Sequence, residues 1–256
     1  MRGLVGIAAL IVVVYALACA ALYFFQRSLI YFPQPASPTG DATVTTIAWP
    51  IDGGGQALAT VRPRPGAAAV LYFGGNAEDV RASLPELAAA FPDHTIYLLH
   101  YRGYGGSAGK PSEKALVADA LALADQVLSR HRDLTVIGRS LGSGVAVQVA
   151  AARTIDRLVL VTPYDSVQAL AAQQYPLFPV RWLLLDTFES SRYAPQVTAA
   201  TLLIAAEHDE VIPRASTEAL LGRFKPGVAA LRVVAQTGHN TISASPDYIA
   251  LLAAGR

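Results

Sequence analysis

The chain has 256 residues, of which 53% are hydrophobic and only 15% charged, with a formal net charge of +1. That charged fraction lies well below the roughly 25% usual for soluble domains, which excludes a long disordered chain, and the near-neutral balance excludes a nucleic-acid binder with a basic stripe. Length allows one large domain or two small ones. A mean hydropathy of +0.37 places apolar mass beyond what an ordinary soluble enzyme carries.

The first part of that mass is N-terminal. From Gly3 to Phe25 no charged residue occurs, and about 20 apolar residues suffice for a helix to cross a bilayer. Arg2 precedes the stretch and Gln26 and Arg27 follow it. Tyr23, Phe24 and Phe25 stand at one end, with Tyr31 and Phe32 shortly after, as aromatics do near a membrane interface. Ala16-Leu17-Ala18 ahead of Cys19 is an alternative signal-cleavage site, but a signal peptide has an apolar run of only about 7–15 residues. The expectation is an anchor over residues 1–27, single-pass, in a bacterial inner membrane.

Residues 28–41 read as a linker, since PQPASPTGD from Pro33 to Asp41 has no helical or strand period. One catalytic domain is expected over 42–256. Strands are predicted at Val44–Pro50, Leu58–Val61, Ala69–Phe73, Thr95–His100, Leu134–Ile137, Leu158–Val161, Leu202–Ala206 and Leu231–Ala235. Helices are predicted at Ser112–Arg130, Leu141–Arg153, Arg214–Phe224 and Ser245–Ala254. Several strands are apolar throughout (AVLYF, LVLV, LLIAA), which suits a sheet covered on both faces. Two leading strands followed by β-α units imply an α/β fold with an open, mainly parallel sheet. The chemistry of such a sheet sits at the carboxyl ends of its strands.

At the end of LTVI stands Gly138-Arg139-Ser140-Leu141-Gly142, a G-x-S-x-G between a strand and a helix. That context makes Ser140 a candidate nucleophile, exposed on a turn too sharp for bulky neighbours and placed at a helix N-terminus. Serine needs a base that is itself oriented by an acid. Of five histidines, His239 in Gly238-His239-Asn240 lies in a strand-end loop near the C-terminus, where the chain order serine, acid, histidine puts the base. The acid belongs on the preceding strand end, where Glu207, Asp209 and Glu210 all stand. Asp209 is the choice and the two glutamates are the alternatives. Two backbone N–H groups are needed for an oxyanion, and Leu141 and Asn76 are the candidates, the latter in the Gly74-Gly75-Asn76-Ala77 turn after AVLYF. Gly75, Tyr164 and Arg139 are candidate substrate-lining residues, and Arg102 and Arg139 candidate contacts for an anionic group. The lone Cys19 excludes an internal disulfide, and no Cys/His cluster has metal-ligand spacing, so no cofactor or metal is expected.

Taken in order, YFGGNAED, YRGYGGSAGKPSE, IGRSLGSG, TPYDSV, AEHDEVIP and GHN resemble the α/β-hydrolase superfamily. More closely they are similar to its membrane-anchored Bem46-like group, with the ABHD13- and ABHD17-type serine hydrolases. The resemblance implies an eight-stranded, mostly parallel sheet flanked by helices. It also implies Ser140 as nucleophile, Asp209 as acid and His239 as base. Two departures stand near the expected site: Gly74 where the group's turn usually has histidine, and His100 where its D-Y-x-G-Y-G segment begins with aspartate. A small cap is expected over about 166–197, its apolar residues Tyr175, Leu177, Phe178, Trp182 and Leu183–Leu185 either packing on the sheet or lining an acyl pocket. The partner implied is a small-molecule or lipid-like acyl substrate, cleaved at an ester, thioester or amide bond. The alternatives are a peptidase of the same fold and a catalytically silent, membrane-tethered binding or scaffold protein.

Overall fold

The computed structural model describes residues 2–38 and 40–254. Met1, Thr39, Gly255 and Arg256, which the expected anchor, linker and catalytic domain include, lie outside the described residues. Helix α1 runs over Arg2–Ile30, and eight strands follow: β1 (Thr45–Pro50), β2 (Gln56–Arg62), β3 (Ala68–Phe73), β4 (Thr95–His100), β5 (Asp133–Arg139), β6 (Arg157–Val161), β7 (Ala200–Ala206) and β8 (Ala229–Val234). They form one sheet in the order β1-β2-β4-β3-β5-β6-β7-β8. β1 and β2 pair antiparallel with each other, and β2 is antiparallel to β4; all remaining pairs are parallel. The α/β-hydrolase fold expected from the sequence is the fold observed.

Alternation along the strands explains why they are apolar on both sides. Ala69, Leu71 and Phe73 of β3 face one core together with Leu134 and Val136 of β5 and Leu158 and Leu160 of β6. Helices α3 (Glu113–Leu128), α4 (Leu141–Ala152) and α8 (Arg214–Leu221) close that side with Leu116, Leu123, Val145, Val149 and Leu220. Val70, Tyr72, Ile137, Val159 and Val161 face the other way. There α2 (Leu84–Ala90) and α9 (Pro246–Ala253) cover them with Leu84, Leu87, Tyr248 and Leu252. A parallel sheet buried on both faces has no solvent side to fill with polar residues.

β4 has the predicted bounds, β1 starts one residue late, and β8 is shifted to start two residues early and end one early. β2, β3, β5, β6 and β7 run one or two residues past the predicted ends, because hydrogen-bonded partners carry the ladder past the apolar run. Helix α2 was not predicted. Its seven residues, LPELAAA, are too few to display a helical period, and a proline in its first turn starts it. The cap contains three short helices, α5 (Val167–Gln174), α6 (Val180–Leu183) and α7 (Ser190–Tyr193).

Topology positions the site. β3 lies between β4 and β5, so connections leave it toward opposite sides and a crevice opens at the carboxyl ends of β3 and β5. The turn Gly74–Asn76 and Ser140 both stand there.

Candidate active site

Ser140 sits between β5 and α4 with φ 49° and ψ −119°, a left-handed conformation that costs a non-glycine residue on the order of 1–3 kcal/mol. Surrounding hydrogen bonds hold it. Its N–H donates to Val161 C=O at 2.9 Å, and its C=O accepts the Ser143 N–H at 2.9 Å and the Ser143 hydroxyl at 2.7 Å. The two glycines of the turn are demanded by close approach. A Cβ on Gly138 would strike the Gly142 carbonyl, and one on Gly142 would strike the Phe73 carbonyl of β3. Helix α4 can therefore start directly against the sheet, with the Ser140 side chain held out from it.

His239 lies beyond β8 and is 6% exposed. Its Nδ1 is 3.0 Å from both carboxylate oxygens of Asp209, and its Nε2 is 2.9 Å from Ser140 Oγ. An ionised carboxylate only accepts, so Nδ1 carries the proton and Nε2 accepts from the serine hydroxyl. Burial pushes the Asp209 carboxyl up. The His239 hydrogen bond and the N–H groups of Ile212 and Val211 outweigh it and hold the carboxyl below its usual range. Asp209 thus stays a carboxylate beside the imidazole.

The three acids of AEHDE divide by partner. Asp209 meets the imidazole, Glu207 accepts the Gln236 N–H at 2.7 Å, and Glu210 accepts the His239 N–H at 3.0 Å. Both glutamates thus brace the backbone of the histidine loop. Spacing alone could not separate them, because all three leave the same strand end.

The turn after β3 is built around Glu78, which the sequence reading did not single out. One oxygen accepts the Tyr72 hydroxyl and the Ser83 hydroxyl, each at 2.6 Å. The other accepts the Gly75 N–H at 2.7 Å and lies 3.7 Å from Arg139. A Cβ on Gly74 would come within 2.6 Å of Val80 and 3.1 Å of the Glu78 carboxyl carbon. The space a histidine would take in the related turn is therefore filled by Val80 and Glu78, so the turn has its own internal brace. The available signal was an acid two residues after Gly-Asn-Ala's asparagine, indistinguishable in sequence from a helix cap.

Asn76 is pinned from three directions. Its side-chain amide donates to Ile30 C=O at 2.9 Å, and its own C=O accepts the Phe32 N–H at 3.0 Å and the Tyr104 hydroxyl at 2.6 Å.

These elements surround a cavity of about 860 Å³ whose lining includes Ser140, His239, Leu141, Gly75 and Asn76. Arg139 and Tyr164 also line it. The Tyr164 hydroxyl, however, donates to Leu141 C=O at 3.0 Å, which fixes the Leu141–Gly142 peptide at the start of α4. Burial pushes that phenol well above its usual range, so it remains a donor. Arg102 is a correction. Its guanidinium grips Asp119 on α3 through two hydrogen bonds of 2.8 Å, so an internal ion pair takes the charge that was expected to meet an anion. The expected apolar face of the cap splits in two: Tyr175, Phe178, Leu183 and Leu184 line the cavity, while Leu177, Trp182 and Leu185 are turned outward. Less expected still, Leu22, Gln26, Leu29 and Ile30 of α1 contribute one wall.

No family profile matches the chain. The uncharacterised protein Rv2307c of Mycobacterium tuberculosis is 35% identical over 249 residues, covering 90% of this chain and 87% of the relative. The α/β-hydrolase domain-containing protein aho-3 of Caenorhabditis elegans is 30% identical over 201 residues. The chain belongs to the α/β-hydrolase superfamily. It spans 59% of aho-3 and 42% of the mouse lysophosphatidylserine lipase ABHD12, to which it is 31% identical over 170 residues. Among solved structures, an esterase of Pyrococcus furiosus, Pf2001, superposes with a TM-score of 0.68 over 88% of this chain and 97% of its own. At 14% identity that likeness speaks for the fold of this α/β hydrolase.

Proposed function

We propose that this hydrolase is a membrane-anchored serine hydrolase that cleaves acyl esters through an acyl-serine intermediate, and that it falls in the Bem46-like group. The observation that carries the reading is the hydrogen-bonded chain Ser140–His239–Asp209 on the floor of a largely apolar cavity. His239 Nε2 takes the Ser140 proton as the oxygen attacks the substrate carbonyl. Asp209 holds the imidazole in the required tautomer and stabilises its cationic form. The oxyanion is received by the N–H groups of Leu141 and Asn76. Gly75 is the poorer donor because its N–H is given to Glu78. His239 then returns the proton to the leaving alcohol, and a water activated by the same nitrogen releases the acid.

The wall residues Leu22, Leu29, Val167, Leu170, Phe178 and Leu183 favour an acyl chain over the polar backbone of a peptide. The lipase named among the relatives agrees in kind. Helix α1, long and apolar enough to cross a membrane, would make this a single-pass protein of a bacterial inner membrane. The test is hydrolysis of p-nitrophenyl butyrate together with labelling by a fluorophosphonate. The wild-type chain reacts with both, and Ser140→Ala reacts with neither while keeping its fold. Undiminished turnover by Ser140→Ala overturns the assignment.

A further inference from the structure

Helix α1 does not stand clear of the hydrolase domain. One stripe of it, Ala18, Cys19, Leu22, Gln26 and Ile30, is partly or fully covered, at the three- and four-residue spacing of a single helical face. The cap is what it meets. Gln26, 6% exposed, donates to Leu183 C=O at 3.0 Å and accepts the Leu185 N–H at 2.7 Å. Arg27 pairs with the buried Asp186 at 3.0 Å, and the Tyr31 hydroxyl donates to the same carboxylate at 3.0 Å. Higher up, the Tyr15 hydroxyl donates to Leu177 C=O at 2.8 Å, and its ring stacks on Phe178 with centroids 5.8 Å apart.

Tyr15 lies in the middle of the uncharged stretch Gly3–Phe25. Beyond it only Gly3–Val14 remains before Arg2, about 18 Å of helix at roughly 1.5 Å per residue. A bilayer's hydrocarbon core is about 30 Å thick, and tilt would shorten the reach further. The helix can span only if residues on the domain side of Tyr15 also lie within the membrane. The cap segment fixed beside them must then lie there too. Its surface fits that environment. Outside α1, the exposed large apolar side chains among the described residues are Phe32, Tyr175, Leu177, Trp182, Leu185, Val211 and Val233. Four of the seven fall between Tyr175 and Leu185. Leu177 is 80% and Trp182 87% exposed, values that water would penalise and acyl chains would not. Trp182 neighbours the exposed Arg181, a pairing suited to the headgroup boundary, where the guanidinium can reach lipid phosphate.

We infer that the cap segment Tyr175–Leu185 is immersed in the bilayer beside α1, and that the cavity between them admits a lipid ester directly from the membrane to Ser140. The inference rests on the serine-hydrolase reading for the substrate, and on the spanning of α1 for the immersion. Leu22, Tyr175 and Phe178 line the same cavity as Ser140, and Phe178 stacks on Tyr15, so the cavity wall reaches the level of Tyr15. An acyl chain taking this path would exchange one apolar environment for another and never cross water.

The experiment uses the full chain in phosphatidylcholine vesicles. The sequence has two tryptophans, and Trp49 is buried on β1, so the difference from Trp182→Phe isolates Trp182. Lipids dibrominated at the 6,7 positions of the acyl chain should quench Trp182 emission strongly, and aqueous iodide should not. Efficient iodide quenching without bromolipid quenching overturns the immersion. The double variant Leu177→Glu/Trp182→Glu, whose side chains lie outside the cavity lining, should hydrolyse a vesicle-embedded lipid ester at least tenfold more slowly. Its rate on water-soluble p-nitrophenyl acetate should match wild type. Equal loss on both substrates, or none on either, overturns lateral entry. Failure of the serine-hydrolase reading itself is distinguishable, since wild type would then leave the soluble ester uncleaved while Trp182 quenching still reports depth.

Discussion

Asn76, in the turn after β3, donates its side-chain amide to the carbonyl of Ile30, the last residue of the N-terminal helix, at 2.9 Å. The same asparagine accepts from Phe32 and Tyr104 through its own carbonyl. The end of the apolar helix is thus bonded to the turn whose N–H is proposed to receive the oxyanion. The helix and the turn beside Ser140 are one mechanical unit.

Asn76→Ala keeps the backbone N–H but loses the tie to Ile30. A hydrogen bond of this kind contributes about 1 kcal/mol, so kcat on p-nitrophenyl butyrate should fall roughly five- to tenfold with KM little changed. A fall in melting temperature with kcat intact would show that the tie only supports the fold.

Among the three acids of the β7 loop, only Asp209 touches the imidazole. Asp209→Asn should reduce kcat by roughly 10³–10⁴-fold, because an amide does not hold the histidine in the accepting tautomer. Glu207→Gln should remain within severalfold of wild type. Comparing the two by steady-state kinetics discriminates catalytic from loop-bracing roles, and an equal effect would refute the division.

Glu78 accepts from Tyr72, Ser83 and Gly75 at once. In Glu78→Gln one of the two acceptor oxygens becomes an NH₂ donor facing other donors. We expect a stability loss of about 2–3 kcal/mol and a drop in kcat of at least tenfold as the turn relaxes. Circular dichroism melts and ester kinetics on the solubilised chain measure the two separately.

His100, the last residue of β4, is 2% exposed. Its Nε2 lies 2.8 Å from the Thr60 hydroxyl. Burial, aided by Arg81 and opposed by Asp79, lowers its pKa from 6.5 to about 4. The unfolded chain takes up this proton near pH 6.5, and the folded chain does so only near 4. The stability this group contributes is therefore complete above pH 6.5 and lost as the pH falls toward 4. That loss amounts to about 3 kcal/mol. Chemical denaturation at pH 7 and pH 4.5 should show a smaller acid loss in His100→Gln than in wild type, by roughly 2–3 kcal/mol. Identical losses would exclude His100 as the source.

The residues that announce themselves in the sequence are those whose requirement is local. Gly138 and Gly142 flank Ser140 because a turn of that sharpness leaves no room for a Cβ, and strands such as AVLYF are apolar throughout because both faces are buried. Eight strands, the serine's position and the histidine's strand-end loop followed from these patterns. Asp209 is chosen over Glu207 and Glu210, but spacing alone keeps all three as candidates, since they are groups of like chemistry a residue or two apart. Asp209 differs from Glu207 and Glu210 only in which atoms lie opposite once β7 and β8 are paired. Glu78 shows its part only when Tyr72, Ser83 and Gly75 converge on it. The short α2 lacked the length to reveal a period.

The opening excess of apolar residues divides between helix α1, which is long and apolar enough to cross a membrane, and the doubly covered strands. Tertiary structure alone decided that the helix and the catalytic domain are not separate. Gln26, Arg27, Tyr31 and Asn76 join segments as much as 159 residues apart, and no local pattern encodes such distant partners. An apolar helix is legible from composition because each residue's preference for lipid is its own. The wall it forms over Ser140 depends on which surface it meets, and only the folded chain specifies that.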